Sequence, residues 1–175
     1  RQAMAEEIEI LPDGKIPQVE MTSCGLNGGP LLGKGEYPAY IACNLFCDTE
    51  STYTGGIAGN GFWLDSRFPR ITQDGRDGDT ELGYIMNMTD SSTCGFKYFD
   101  CQGVRAVSLQ VRGYCKGVFE VKTKWDGQVL AEIPVDYTNV WKEYTADVAI
   151  PDGIQSLYFT FRGFGGAALK SFCLL

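Results

Sequence analysis

The chain has no histidine among its 175 residues. Histidine is the side chain that most often serves as a general base near neutral pH, and it is a common ligand of transition metals. A Ser-His-Asp or Cys-His catalytic site therefore cannot form within this sequence. A zinc site would need four thiolates, and the spacing of the cysteines does not favour one.

Positive charge is also scarce, since 15 Lys and Arg face 22 Asp and Glu and the net charge is −7. Nucleic acids and anionic membranes attract basic surfaces, so we expect neither as a partner. No apolar run approaches the ~20 residues that span a bilayer. A neutral polysaccharide is compatible with this charge.

Seven cysteines are present, and because this number is odd, at least one is unpaired in a monomer. Four of them lie beside apolar residues and are expected to be small buried hydrophobes: Cys24, Cys43, Cys101 and Cys173. The sequence predicts that most of the thiols are free, which fits a reducing or anaerobic setting better than a disulfide scaffold.

Long helical periodicity is absent, and turn signals recur about every 8–12 residues, as in a β-sandwich or barrel. Hydrophobic residues make up 44% of the chain and aromatic residues 13%, which favours packed sheets. Alternating apolar and polar residues predict strands at 82–88, 95–99, 104–112, 117–124, 129–135, 141–149, 156–162 and 169–174. We therefore predict an all-β domain over residues 61–175.

Residues 1–60 form a separate N-terminal segment in this prediction. Polar and apolar residues alternate over Glu7–Leu11, a Pro-Asp-Gly-Lys turn follows, and residues 18–21 complete a hairpin. The Gly- and Pro-rich residues 24–38 are interpreted as a connector. A buried strand is predicted over residues 39–45. The chain begins Arg1-Gln2, so we expect a fragment of a longer protein.

Two aromatic residues, Tyr84 and Trp141, follow turns at the predicted strand ends. Such positions reach the rim of a sandwich, where an aromatic ring can stack on a sugar or simply pack. Trp125, by contrast, alternates in phase with Phe119 and Val121 and is predicted to lie in the core.

Two other motifs have an ordinary structural explanation as well as a functional one. The acidic loop from Asp74 to Asp79 suggests calcium, but it has neither flanking helices nor the Glu of an EF-hand, so a solvated turn is favoured. Thr72 and Asp74 are two residues apart at a strand end, so their side-chain oxygens could still lie on the same side of the strand and bind calcium. The glycines of residues 163–166 are interpreted as a tight strand connection, with flexible backbone beside a ligand cleft as the alternative.

Residues 70–175 contain a series of short motifs: Ile71-Thr72-Gln73-Asp74, Gly83-Tyr84-Ile85, Thr138-Asn139-Val140-Trp141-Lys142-Glu143-Tyr144, Leu157-Tyr158-Phe159-Thr160-Phe161-Arg162-Gly163 and Leu169-Lys170-Ser171-Phe172. Their order and spacing resemble those of family 6 carbohydrate-binding modules. The resemblance implies a β-sandwich (jelly roll) of two mainly antiparallel sheets with a sugar cleft at one end.

In that family the residues matching Tyr84 and Trp141 sandwich a sugar ring, and we expect Glu81 and Asn139 to orient its hydroxyls. Thr72 and Asp74 would contribute to a structural calcium site, the one cofactor that the resemblance implies. Two positions depart from the family pattern. Ala168 replaces an Asn that hydrogen-bonds the sugar, and Lys170 replaces an Asp of the calcium site.

Residues 1–47 carry a second set of motifs, in residues 1–6, in Val19-Glu20-Met21-Thr22-Ser23 and in Gly25-Leu26-Asn27-Gly28-Gly29-Pro30-Leu31. These motifs resemble the segment that closes the catalytic propeller of some family 43 glycoside hydrolases and leads into their appended module. The catalytic carboxylates of that family lie in earlier blades, so the chain itself is predicted not to be an enzyme.

The expected function is therefore that of a non-catalytic module of a plant-cell-wall hydrolase that binds xylan, arabinoxylan or related β-glycans. Two alternatives remain: a structural domain that buttresses the catalytic domain without binding sugar, and a segment that completes the active cleft. The expected partners are a cell-wall polysaccharide and the catalytic domain of the same polypeptide. The expected location is extracellular or in the cell envelope of a bacterium, with a cytoplasmic location as the alternative.

Overall fold

The computed structural model describes residues 4–47, 68–76 and 83–175. Within these ranges there are ten strands and one 3-10 helix, Ala39–Ile41. The strands are β1 (Leu31–Leu32), β2 (Gly35–Pro38), β3 (Asn44–Cys47), β4 (Arg70–Gln73), β5 (Gly83–Met88), β6 (Ser92–Cys101), β7 (Ala106–Lys122), β8 (Ala131–Val135), β9 (Thr138–Asp147) and β10 (Gly153–Leu174). No helix in the described part of the chain is long and apolar enough to cross a membrane.

The long strands β7 and β10 pair with each other and run through both layers of a β-sandwich. In the first layer, the start of β7 pairs with β9, while the end of β10 pairs with β5 and β2. In the second layer, the end of β7 pairs with β8, while the start of β10 pairs with β6. Strand β4 extends the first layer at β5, and β1 and β3 extend the second at β6. All pairings are antiparallel except that of β1 with β6, so the predicted all-β sandwich is confirmed.

Glycines are required where β7 and β10 pass from one layer to the other, because the two backbones approach each other closely there. A Cβ atom on Gly165 would collide with the Tyr114 carbonyl oxygen, and one on Gly117 would collide with the Arg162 carbonyl oxygen. Gly163 and Gly165 also have positive φ values of 151° and 81°. The predicted strand connection at residues 163–166 is therefore wrong, because these glycines lie inside the continuous strand β10. The predicted break between residues 112 and 117 is wrong as well, because β7 runs through it.

The core between the layers contains a cluster of phenylalanines. Phe172 contacts Phe96, Phe99 and Phe159, with ring centroids 4.6, 5.8 and 5.2 Å away. These four side chains are fully or almost fully buried, and each contributes about 1.5–3 kcal/mol of hydrophobic stabilisation by burial alone.

Residues 31–47 belong to the sandwich, because β1, β2 and β3 pair with its strands and Ala39 is fully buried in its core. They precede residue 60, the boundary predicted from the sequence. The strand expected over residues 39–45 is instead a 3-10 turn followed by β3.

Residues 4–30 contain no strand, so the predicted N-terminal hairpin is present only as its turn. Leu11 N–H donates to the Lys15 carbonyl at 2.9 Å, but no ladder follows on either side. Residues 20 and 23, in the second half of this segment, attach it to β6. The Lys97 N–H donates to Ser23 Oγ, and both Lys97 Nζ and Tyr98 Oη donate to the Glu20 carboxylate at 2.9 Å.

No disulfide joins the seven cysteines, all of which lie in the described ranges, in agreement with the prediction that most of them are reduced. Five are buried, but Cys24 and Cys173, which were predicted to be buried, are partly exposed. Burial raises the pKa of the Cys94 and Cys43 thiols, since the charged thiolate is poorly solvated there. These cysteines therefore act as small apolar core residues.

Trp125 is not a core residue, contrary to the prediction. It is 45% exposed and touches the edges of Phe46 and Tyr158, with centroid distances of 5.1 and 5.8 Å. The reason is that β7 ends at Lys122, so the alternation that buries Phe119 and Val121 does not extend to residue 125.

Candidate functional site

Four neighbouring strands of the first layer bring the predicted aromatic pair together. Along these strands Ile85 pairs with Leu169, Ala168 with Arg112, and Val111 with Lys142. Ile85, Leu169 and Val111 point into the core, so the residues next to them point out of the other face of the sheet. The row of side chains on that face is Tyr84, Ala168, Arg112 and Trp141.

Tyr84 and Trp141 meet edge to face, with ring centroids 5.3 Å apart and an interplanar angle of 69°. Tyr84 is only 9% exposed. A sugar ring held between two aromatic faces needs those faces to be roughly parallel and separated by the thickness of the sugar. The space between these two rings has neither property.

Arg112 occupies the position where the two rings converge. Its guanidinium carbon lies 4.3 Å from the Trp141 centroid and 4.9 Å from the Tyr84 centroid, a double cation–π contact. Its Nη2 donates to both Asp74 carboxylate oxygens, at 2.7 and 3.0 Å. The small side chain of Ala168, which pairs with Arg112, leaves room for this arrangement on the shared face.

Asp74 completes this group, since its Oδ1 also accepts a hydrogen bond from Tyr84 Oη at 3.1 Å. Asp74, Tyr84, Arg112 and Trp141 are therefore one connected cluster, which we call the arginine cluster. Charge-assisted hydrogen bonds and cation–π contacts hold the guanidinium in place.

An open cleft lies beside the arginine cluster, with a volume of about 410 Å³. This volume falls in the range of small-molecule sites, about 300–1,000 Å³. Tyr84 and Arg112 line one part of the cleft, and Tyr114, Tyr137 and Asn139 line another. The remaining lining residues are Met86, Asn87, Gly113, Thr138, Gly166, Ala167 and Ala168. The cleft thus combines aromatic rings with a few polar groups.

Of the four predicted sugar-binding residues, the structure places Tyr84 and Asn139 in the lining of this cleft. Trp141 contacts Tyr84 and Arg112 but is not among the lining residues. Glu81 lies outside the described residues.

Most of the cleft lining was not predicted from the sequence, including its larger side chains Arg112, Tyr114 and Tyr137. Arg112 alternates with the apolar Val111, which indicates an outward side chain but no partner. Only the pairing of β7 with β9 and β10 shows that it faces Trp141 and Ala168.

The predicted calcium ligands do not fit a metal ion. Both Asp74 carboxylate oxygens are already bound to the Arg112 guanidinium, whose positive charge would repel a cation. Thr72 belongs to β4 and pairs with Tyr84 of β5. Across the described ranges, no three Cys, Asp or Glu side chains come close enough together to hold a metal ion.

Comparison with known proteins agrees with the sandwich architecture. No family model matches the chain. The chain is 63% identical over 174 residues to a "Xylosidase/arabinosidase" of Thermoclostridium stercorarium; the match covers 99% of this chain and 36% of that protein. The chain thus spans little more than a third of the length of this curated relative.

The fold is also similar to those of solved structures, of which two are informative here. One is a family 6 carbohydrate-binding module from Clostridium stercorarium in complex with cellobiose, with a TM-score of 0.63, 14% identity and coverage of 84% of this chain and 97% of that one. The other is a family 43 arabinoxylan arabinofuranohydrolase from Bacillus subtilis in complex with cellotetraose. Its TM-score is 0.61 at 15% identity, and the match covers 96% of this chain and 32% of that one.

One of these structures is a module alone, and the other contains the matching region as about a third of a larger hydrolase. Both agree with the two resemblances found in the sequence. The chain therefore has the β-sandwich fold of the family 6 carbohydrate-binding modules, and over nearly its whole length it is similar to one part of a xylosidase/arabinosidase.

Proposed function

We propose that this chain is a non-catalytic carbohydrate-binding module of a plant-cell-wall glycoside hydrolase and that it binds β-glycans of the xylan or arabinoxylan type. The observation that carries the proposal is the open cleft beside the arginine cluster, which is lined by three tyrosines and Asn139. Aromatic faces cover the apolar faces of a pyranose, and a few polar groups fix its orientation.

The mode of contact differs from a sugar held between Tyr84 and Trp141. Those two rings touch each other, and Arg112 covers them. In the proposed mode the sugar lies in the cleft against the exposed rings of Tyr114 and Tyr137, and Tyr84 forms part of the cleft wall. Trp141 then acts through Arg112, which it holds in position.

Arg112 also supplies a polar contact in place of the Asn that Ala168 replaces. Its Nη2 is used by Asp74, whereas its Nε and Nη1 donate to no acceptor in the described part of the chain. Arginine carries several N–H donors in a fixed plane, so these two groups are suited to bind sugar hydroxyls at the cleft wall.

Support for the hydrolase context comes from the relatives. The curated relative is named for xylosidase and arabinosidase activity, and the chain spans 36% of it. We propose that the remainder of the polypeptide carries out catalysis and that this module keeps it near the polysaccharide, outside the cell or in its envelope. A modest affinity is expected, because an open cleft buries little area and binding has to offset lost motional freedom.

One observation favours the alternative of a purely structural domain. The aromatic pair expected to bind sugar is closed on itself, and Tyr84 is buried. In this alternative, the arginine cluster serves stability alone and the sandwich buttresses the rest of the polypeptide.

Isothermal titration of the chain with soluble arabinoxylan and with cello-oligosaccharides separates the two functions. We expect binding by the unaltered chain and a clear loss of affinity in Tyr137→Ala, whose exposed side chain contributes little to stability. Ile154→Ala is the matched control, because Ile154 is equally exposed but lies on the other layer beside β6. Absence of any binding by the unaltered chain would favour the structural alternative.

A further inference from the structure

Three exposed aromatic side chains form a patch that begins at the cleft and continues beyond it. Tyr114 and Phe164 are each 71% exposed, and Tyr137 is 59% exposed. Tyr114 lies 5.3 Å from Tyr137 and 6.3 Å from Phe164 between ring centroids, at interplanar angles of 72° and 70°. We call these three residues the aromatic platform.

The platform is built on the rigid crossing of β7 and β10. Tyr114 pairs with Gly166 and Lys116 with Phe164, so two of the rings stand on neighbouring strands. Tyr137 lies in the short link between β8 and β9, where its N–H donates to the Asp136 carboxylate at 2.8 Å. Gly163 and Gly165, on either side of Phe164, lie close against the backbone of β7, so the backbone carrying the platform has little freedom to shift.

The three exposed rings lie next to one another and form one continuous apolar patch. Burying one such side chain is worth a substantial part of the stability of a small domain, and contiguous exposed apolar patches usually mark binding surfaces. The platform holds tyrosine and phenylalanine rings, and neither tyrosine hydroxyl is hydrogen-bonded to another described residue. Flat rings with free hydroxyls suit a partner that is apolar on its faces and polar on its edges.

Continuity with the cleft identifies that partner. Tyr114 and Tyr137 line the cleft as well as belonging to the platform, while Phe164 lies outside the cleft. A polysaccharide chain seated in the cleft would therefore pass over Tyr114 to reach Phe164. We infer that the aromatic platform is a second contact surface for successive sugar units of the same chain, with Phe164 at its far end. This inference rests on the proposed function of the cleft.

Binding should accordingly depend on ligand length. A short ligand fills the cleft alone, whereas a longer one also covers Phe164 and gains an additional aromatic contact. We expect Phe164→Ala to weaken binding of xylohexaose about three- to tenfold, the range that corresponds to one aromatic contact, while leaving xylobiose binding unchanged. Because Phe164 is exposed, the variant should fold normally.

The test is calorimetric titration of the unaltered chain, Phe164→Ala and the control Ile154→Ala with xylobiose and xylohexaose, and with cellobiose and cellohexaose. The expected result is tighter binding of the longer ligand, with that advantage lost only in Phe164→Ala. Equal affinity of Phe164→Ala and the unaltered chain for the long ligands would overturn the inference while leaving the cleft proposal standing. No binding of any ligand by the unaltered chain would instead remove the proposed function itself.

Sedimentation of the chain without ligand gives a second test, because an exposed aromatic patch can also pair with a copy of itself. We expect the unaltered chain and Phe164→Ala to sediment alike as monomers. A dimer that Phe164→Ala dissociates would overturn the inference and assign the platform to self-association.

Discussion

The N-terminal segment, residues 4–30, and the end of the sandwich that carries the cleft, here the cleft end, both expose apolar side chains. They do so in different ways. Residues 4–21 have no strand and expose aliphatic side chains such as Ile8, Ile10 and Ile16. The cleft end exposes aromatic rings fixed on the paired strands β7 and β10. Flexible aliphatic side chains on an irregular segment suit packing against protein, whereas rings on a rigid frame suit stacking.

What holds each region differs as well. The N-terminal segment is attached to β6 by side-chain contacts of Glu20 and Ser23 and by one backbone hydrogen bond, from the Ser23 N–H to the Lys97 carbonyl. The cleft end depends on close backbone contact, which the glycines permit.

Glycine substitution should separate the two regions most clearly. Gly165→Ala forces a Cβ against the Tyr114 carbonyl oxygen at a φ of +81°, so we expect a loss of about 2–5 kcal/mol in the free energy of unfolding. Gly28 in the N-terminal segment has a similar φ of +72° but open space around it. Gly28→Ala should therefore cost only about 1 kcal/mol. Urea denaturation of both variants measures the difference, and equal losses would show that the close approach is unimportant.

Trp141→Ala should weaken sugar binding by about 2 kcal/mol, a value typical of residues central to an interface. The reason is that Arg112 loses the ring on which it rests, 4.3 Å from its guanidinium carbon, and shifts in the cleft wall. Titration with arabinoxylan measures the effect. Leu26→Ala, which alters an exposed residue of the N-terminal segment, is the control and should leave affinity unchanged.

Acid should loosen the N-terminal segment before it affects the sandwich. Hydrogen bonds from Lys97 and Tyr98 lower the pKa of Glu20 below its usual 4.5. A lowered folded-state pKa means that the contact stabilises the attached segment above about pH 4.5 and that this stabilisation is lost as pH falls through the lower value. The contact is exposed, so it contributes at most about 1 kcal/mol.

Hydrogen exchange at residues 20–24 measures this loss. Exchange should speed up between pH 5 and pH 3 beyond the intrinsic pH dependence, while the core strands stay protected. Glu20→Gln should remove the additional effect. The same additional acceleration in Glu20→Gln would assign it to another group.

The smallest effect is expected from Ile10→Ser. Ile10 is 65% exposed, so the free energy of unfolding of this chain should change by less than about 0.5 kcal/mol. Thermal unfolding measures it. A larger loss would show that the N-terminal segment packs on the sandwich in solution more closely than the structure has it.

Much of the fold could be predicted from the sequence, because alternation and turn residues are local signals. The alternation of Val107, Leu109 and Val111 correctly identifies the inner face of β7. The glycines at 163–166 were misinterpreted, because glycine marks both a turn and a close approach between strands, and only the partner strand distinguishes them. Trp125 was misplaced for a similar reason, since alternation does not reveal where a strand ends.

The sequence by itself determined the all-β class and the absence of a histidine-based site, and it predicted that most cysteines are reduced. The family resemblance in the sequence also pointed to Tyr84 and Asn139, which both line the cleft. The tertiary structure alone decided that Arg112 closes the aromatic pair, that Asp74 binds Arg112, and that Tyr114, Tyr137 and Phe164 form one platform. The physical reason is that each of these contacts joins residues far apart in the chain. Their distances depend on strand pairing and register, which no local pattern of residues specifies.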